Sequence, residues 1–313
     1  MKGTNMKTKL LTALALSVGL FMSCNKDRDE PEKQVIHFDA HINQQVATST
    51  TGGSLVTNWE NSDKIGIFMV NQGTSTITEG HSNRSYTYDG TSFKPDTGNE
   101  MFYPVSDARV DFVAYYPHSA GAVLGTALAI SVANQTDLGA IDYLWVKATN
   151  GTTGFNKSTG PNVPLNFDHK LCKIVINTLP GAGLTTSTTG WSTMAVTIKG
   201  LNTTAVMDLF SGVVSGNAAP VDISPFARTA GAKYEAIVLP ETFAAAGAVQ
   251  FTFAIGSETY TWSSPANEAF AAGLEYTYDI TINRVGVTLA TVSIKDWVAA
   301  PDKTGIKLNS WGE

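Results

Sequence analysis

The sequence predicts an all-β protein made of two tandem antiparallel β-sandwiches. Three observations support this prediction. Apolar and polar residues alternate with period two along most of the chain, turn-forming Gly, Pro, Ser and Asn separate these segments, and long helical patterns are absent. At least twelve strands can be counted, which is about twice the ~7 strands of a single sandwich.

The N-terminus has the pattern of an exported lipoprotein. Leu10–Met22 is mostly apolar, follows two lysines and is too short to span a bilayer, as a secretory signal is. Phe21-Met22-Ser23-Cys24 resembles the lipobox of bacterial lipoproteins, with Phe21 where that pattern usually has Leu. We therefore expect a lipoprotein signal peptide over residues 1–23 and a lipid on the sulfur of Cys24. An ordinary signal with a chance cysteine is the alternative.

A charged, Pro-containing segment follows the cysteine and is expected to be a solvated tether over residues 24–34. Its run of charges at 26–30 resembles the surface-export tag of Bacteroidetes lipoproteins. The expected location is therefore the outer surface of the outer membrane, where the lipid anchor is the protein's only membrane contact.

Charge and cysteine content argue against a nucleic-acid-binding protein and against a fold stabilised by disulfides. A net charge of −6 and the lack of any basic run argue against a nucleic-acid partner. If Cys24 is lipidated, Cys172 stands alone and no disulfide can form. Cys172 shares a strand face with Ile174 and Ile176, so we interpret it as a buried packing residue.

The first predicted strand is "VIHFDAHI" at 35–42, in which alternate residues face the core of the first sandwich. The apolar face carries Ile36, Phe38, Ala40 and Ile42. The polar face carries His37, Asp39 and His41.

The later strands follow in order, separated by turn residues. They are predicted at 63–70, 85–93, 110–117, 141–148, 166–179, 194–200, 234–240, 250–262, 274–282, 291–297 and 305–310. Asp89-Gly90 is a hairpin turn signal, and 166–179 is the longest strand-like run.

Two features interrupt this series of strands. The segment 265–273 is the best helix candidate. The Gly/Thr/Pro-rich stretch at 149–164 is the most linker-like, so we expect an N-terminal sandwich over 35–160 and a C-terminal sandwich over 161–313.

Candidate catalytic and metal sites are few. His37, Asp39 and His41 could chelate a metal from one strand face, but we interpret them as the solvent side of an edge strand. Asp168 and His169 could resemble part of a catalytic pair, but they are adjacent on a strand and so point to opposite faces. We interpret His169 as a strand-end histidine that is hydrogen-bonded locally. No nucleophile, zinc or phosphate-loop motif occurs, so we expect no enzyme activity, metal or cofactor.

Aromatic pairs offer one alternative function. Tyr260 and Trp262 share a strand face, as do Tyr276 and Tyr278. We interpret both pairs as core, although exposed aromatics could instead stack on sugar rings. A monomeric surface glycan-binding lipoprotein is therefore the runner-up hypothesis, and an exported hydrolase is the third.

Six segments occur in an order that resembles the fimbrillin family of Bacteroidales, the FimA-like and Mfa-like pilus subunits. They are "IHFDAHI", "WENSDKIGIFM", "VDFVAYYP", "PLNFDHKLCKIVI", "IVLPET" and "AGLEYTYDITI". The resemblance covers essentially the whole chain and implies two transthyretin-like β-sandwiches in a surface fimbria that mediates adhesion. The implied partners are other fimbrial subunits and a glycan or protein receptor on host or bacterial cells.

The resemblance also implies assembly by strand exchange, in which a protease removes the first strand and the next subunit supplies a replacement. The strand with Ile36, Phe38, Ala40 and Ile42 has the form of the removable one. The segment "TGIKLNSWGE" is the candidate donor, because Ile306 and Leu308 alternate with polar neighbours.

One departure from the family concerns processing. Well-known members are cut after an arginine shortly after the first strand, but no arginine occurs between Ile42 and His81 here. A different protease, or none, is therefore expected, and stalk, tip and anchor roles all stay open.

Overall fold

The computed structural model describes residues 33–43 and 59–297, which fold almost entirely as β-strands. These ranges contain no α-helix, only two short 3-10 turns at Gly139–Ile141 and Lys157–Thr159. Within the same residues, no helix is long and apolar enough to cross a lipid bilayer.

Ten strands precede residue 200. They are β1 His37–Ile42, β2 Lys64–Asn71, β3 Arg84–Tyr88, β4 Phe93–Pro95, β5 Val110–Tyr116, β6 Ala127–Ser131, β7 Leu144–Ala148, β8 Asn162–His169, β9 Cys172–Pro180 and β10 Ala195–Lys199.

Ten more strands complete the described chain. They are β11 Asn202–Asp208, β12 Val214–Pro220, β13 Phe226–Thr229, β14 Lys233–Val238, β15 Glu241–Phe243, β16 Gln250–Ile255, β17 Glu258–Ser263, β18 Glu268–Phe270, β19 Leu274–Asn283 and β20 Gly286–Asp296.

The strands form sandwich-like sheets. A seven-stranded sheet has the order β1-β8-β7-β5-β2-β3-β4, and a five-stranded sheet has the order β13-β14-β9-β19-β20. Two three-stranded sheets, β10-β16-β17 and β12-β11-β6, and the pair β15-β18 cover them. The all-β prediction is confirmed.

Three apolar clusters lie between these sheets. One contains side chains of the seven-stranded sheet, from Ile36 to Phe167. A second, the C-terminal cluster, packs the five-stranded sheet against β10, β16 and β17, from Cys172 to Ile282. The third lies on the other side of β2 and β5, where Phe68 and Val113 meet residues of β6, β11 and β14. Because β2 and β5 contribute to two clusters, they are buried on both faces.

Two strand pairs correct the purely antiparallel expectation. β1 pairs with β8 in parallel, and so does β9 with β19. Each pair is joined by a long connection, which parallel neighbours require and hairpins do not. Alternation of apolar residues shows which side of a strand is buried. It does not show whether the neighbouring strand runs parallel or antiparallel.

The longest predicted run, 166–179, is two strands. β8 ends at His169 in the seven-stranded sheet, and β9 begins at Cys172 in the five-stranded sheet. β8 thus pairs with N-terminal strands although it follows residue 160. The division into two sandwich domains stays a prediction.

The helix expected at 265–273 is wrong. Glu268–Phe270 is a strand that pairs with β15, and Phe270 is buried against Phe243 and Tyr276. The alanines of this segment favour a helix, but packing of the aromatic ring overrides such a weak preference.

The hairpin turn at Asp89-Gly90 is confirmed. It joins the antiparallel strands β3 and β4, and Gly90 has a positive φ of 92°. The Asp89 carboxylate accepts hydrogen bonds from the N–H groups of Thr91 and Ser92, both at 2.9 Å, which fixes the turn.

Candidate functional site

β1 lies at the edge of the seven-stranded sheet as the structure describes it, with one face in the core. Ile36 directly precedes β1 and is counted with its inward positions. Ile36, Phe38 and Ile42 are buried, and Ala40 is partly buried against the same cluster. The predicted inward face of this strand is confirmed residue by residue.

Main-chain bonds align β1 along β8. The register runs in parallel from His37 opposite Asn162 to Ile42 opposite Phe167. At the two ends, the N–H of His37 donates to the Pro161 carbonyl and the N–H of Asn43 to the Phe167 carbonyl, both at 2.8 Å.

Among the residues that the structure describes, a few bonds hold the other side of β1. Near its start, the Ile36 N–H donates to the Met101 carbonyl at 2.9 Å, and the Tyr103 N–H donates to the Gln34 carbonyl at 3.1 Å. Near its end, the indole N–H of Trp59 donates to the Ala40 carbonyl at 2.9 Å. Because the backbone makes most of these bonds, any extended segment could form them.

Phe38 fills an aromatic pocket. Its ring meets Tyr86 edge to face at a centroid distance of 5.1 Å and Phe112 at 5.3 Å, the geometry that aromatic pairs prefer. Burial raises the pKa of the Tyr86 hydroxyl well above its ordinary value. Removing β1 would therefore uncover the rings of Tyr86 and Phe112, and the apolar slot that β1 fills is the space between its inward face and this cluster.

The outward face of β1 is polar, as predicted. His37, Asp39 and His41 are exposed, and the His41 Nε2 and Asp39 Oδ1 atoms are 3.0 Å apart. No group of three or more His, Cys, Asp or Glu side chains in the described residues has a geometry that could hold a metal ion.

Asp168 and His169 point to opposite sides and do not bond to each other, as expected. His169 is buried, its Nδ1 lies 2.9 Å from Asp142 Oδ1, and its ring stacks on Trp297 at 4.0 Å. Asp168 instead accepts a hydrogen bond from Asn43 at the end of β1. The histidine's partner is distant in sequence, so the expectation of a purely local hydrogen bond for it is wrong.

Cys172 is fully buried in the C-terminal cluster beside Ile174 and Ile176, which confirms its interpretation as a packing residue. Burial raises the pKa of its thiol far above the ordinary value, so the thiolate is suppressed at neutral pH.

The aromatic pairs are core residues, as interpreted. Tyr260, Trp262, Tyr276 and Tyr278 are all buried in the C-terminal cluster. The rings of Trp262 and Tyr278 contact each other and Phe251, and the ring of Tyr276 contacts Phe270. These four residues therefore do not form an exposed platform for sugars.

The sequence reasoning missed a buried charged cluster. Glu235 is fully buried, and its Oε2 accepts hydrogen bonds from Arg228 Nε at 3.0 Å and Nη2 at 2.7 Å. Lys173 is also buried and lies 3.2 Å from Glu275. Both Glu235 and Lys173 line a cavity of about 400 Å³ that Trp59 also borders. Both strands are buried on consecutive residues, whereas period-two alternation assigns only one face to the core, so alternation does not predict that these charges are buried.

Several predicted site residues lie outside the described ranges. They are the lipid-attachment residue Cys24 and the candidate donor residues Ile306 and Leu308. They stay predictions.

Comparison with known proteins connects this architecture to a family. Residues 47–297 match the model of a family described as fimbrillin-like. One relative, a candidate fimbrium subunit named Fim1C from Bacteroides uniformis, is 29% identical over 310 residues, covering 93% of this chain and 96% of that protein.

Solved structures share the fold. A crystal structure of a candidate cell adhesion protein from Bacteroides uniformis is 28% identical, has a TM-score of 0.70, and covers 85% of this chain and 98% of its own. A second candidate cell adhesion protein, from Bacteroides ovatus, has a TM-score of 0.63 at 22% identity, with coverages of 86% and 100%. At 22% identity, the similarity to this second structure shows a shared fold only.

Proposed function

Because this chain belongs to the fimbrillin-like family, we propose that it is a structural and adhesive subunit of a surface fimbria that assembles by β-strand exchange. The relatives named as a fimbrium subunit and as a cell adhesion protein support this proposal. Its partners are other fimbrial subunits and a receptor on an opposing cell.

The observation that carries the proposal is the position of β1. It is an edge strand among those described, and it supplies Ile36, Phe38 and Ile42 to the core through bonds that are mostly main-chain. An edge strand with these properties can be replaced by another segment of alternating sequence, which is the physical basis of β-augmentation.

The donor in this proposal is the C-terminal segment of a neighbouring subunit. Ile306 and Leu308 would enter the slot that β1 leaves, while their polar neighbours face solvent. Each subunit would then fill one slot and offer one strand, so the chain grows in one direction.

Gel analysis of surface-extracted protein tests this proposal. Wild-type cells should give a ladder of polymers, and deletion of residues 302–313 should leave a single band at the subunit mass. Lys307→Ala, on the polar side of the donor, is the matched control and should keep the ladder. A ladder that persists after the deletion would exclude this end as the donor, and wild-type protein that is monomeric would favour the glycan-binding lipoprotein.

The membrane anchor has its own test. Cys24→Ala should abolish metabolic labelling with palmitate and release the protein from the membrane fraction, because the apolar signal segment is too short to span the bilayer. Cys172→Ala, which alters the buried thiol, is the control and should retain the label. Unchanged labelling of the Cys24→Ala protein would contradict the lipoprotein assignment.

A further inference from the structure

The inward positions of β1 are unequal in size. Three carry large side chains, Ile36, Phe38 and Ile42, and the fourth carries the small Ala40. The indole of Trp59 lies beside this fourth position, because its N–H is 2.9 Å from the Ala40 carbonyl oxygen. Trp59 and Ala40 are both partly buried against the same apolar cluster, so the indole borders the strand at its smallest inward residue.

The Trp59 ring is held from three other sides. Its centroid lies 4.9 Å from that of Phe93, 5.5 Å from that of Tyr116 and 5.4 Å from that of Phe167, all in edge-to-face geometry. Tyr116 is fixed in turn, since its hydroxyl donates to Asp63 Oδ1 at 2.9 Å. A larger neighbour would have to push the ring away from these three aromatic contacts, and such overpacking is destabilising.

We propose that Trp59 sets the register of any strand that occupies the β1 position, by admitting only a small residue at the place of Ala40. This inference rests on the proposed strand exchange and adds a specificity rule to it. An incoming strand must run parallel to β8, present large side chains at the places of Ile36 and Phe38, and present a small one two residues later.

The C-terminal segment of a second copy satisfies this rule in one register. With Ile306 at the place of Ile36, Leu308 takes the place of Phe38 and Ser310 takes the place of Ala40. Gly312 then takes the place of Ile42, so this last position is not filled by a large side chain. Moving the segment two residues in one direction puts Leu308 beside Trp59. Moving it two residues in the other direction puts Ser310 into the aromatic pocket, which it cannot fill.

The surface polymer ladder tests the register in the full chain. Ser310→Leu should weaken strand insertion by about fivefold or more, the lower end of the cost of overpacking a core site, and so reduce the polymer fraction. Ser310→Ala keeps the residue small, and Asn309→Leu places the same leucine on the outward side, so both should assemble as wild type. Normal assembly of Ser310→Leu, or equal loss in Asn309→Leu, would overturn the proposed register.

A second measurement tests the Trp59 position independently of assembly. In the monomer, Ala40→Leu should lower the urea midpoint and alter tryptophan fluorescence, whereas the exposed-face control Asp39→Leu should do neither. If Ala40→Leu is as stable as wild type, the size restriction is wrong whatever the ladder shows. Suppose instead that Ala40→Leu is unstable but the chain that lacks residues 302–313 still polymerises. The C-terminal segment is then not the donor, and the size restriction at Trp59 stands.

Discussion

A chain that begins at Asn43, and so lacks β1, is expected to form oligomers in solution, whereas a chain that begins at Lys33 is expected to be monomeric. Loss of β1 removes Ile36, Phe38 and Ile42 from the core, and each such side chain stabilises a fold by roughly 1.5–3 kcal/mol when fully buried. A domain has a net stability of only ~5–15 kcal/mol, so the chain without β1 is metastable. We therefore expect it to bind a replacement strand from another copy.

Size-exclusion chromatography with light scattering distinguishes these two chains. The Lys33 chain is the matched control, since it keeps every bond between β1 and β8 and removes only the residues before it. A stable, folded monomer from the Asn43 chain would exclude strand exchange at this end. A tip or anchor role would then explain the protein better than a stalk role.

Glu235→Gln is expected to lower the free energy of unfolding by about 1–3 kcal/mol, the usual cost of leaving a buried hydrogen-bonding group without its full set of partners. The carboxylate of Glu235 is fully buried and binds Arg228 directly, with Lys233 at 3.5 Å and Lys173 at 3.9 Å. The amide keeps the volume but leaves these cations without their shared negative charge.

Urea denaturation of the mature protein measures this effect. Glu258→Gln is the control, because Glu258 is exposed at the start of β17 and surface substitutions usually change stability by less than about 0.5 kcal/mol. If both variants unfold at the wild-type midpoint, the buried cluster does not contribute to stability as its geometry indicates.

The buried face of β1 could be predicted from sequence because alternation along a strand states which residues turn inward. Ile36, Phe38 and Ile42 are buried as predicted, and the exposed positions of His37 and Asp39 follow from the same period. The parallel pairing of β1 with β8 could not be predicted in this way, since the two strands are far apart in the chain.

Neither the position of Trp59 nor the burial of the charged cluster could be predicted from the sequence. Trp59 reaches the Ala40 carbonyl from a loop, so its position depends on tertiary packing and not on any local period. Lys173 follows Cys172 on β9 and would be exposed on a half-buried strand, but the contacts of β9 with Glu235 and Glu275 bury it. Period-two patterns report one face only, and they fail where both faces are covered.

The fimbrial proposal as a whole is tested most directly by electron microscopy of surface filaments labelled with an antibody to this protein. If the chain is a polymerising subunit, label should lie along filaments on cells that express it, and those labelled filaments should disappear when residues 302–313 are deleted. Label confined to the cell surface with no filaments, in cells that expose the protein, would contradict the account.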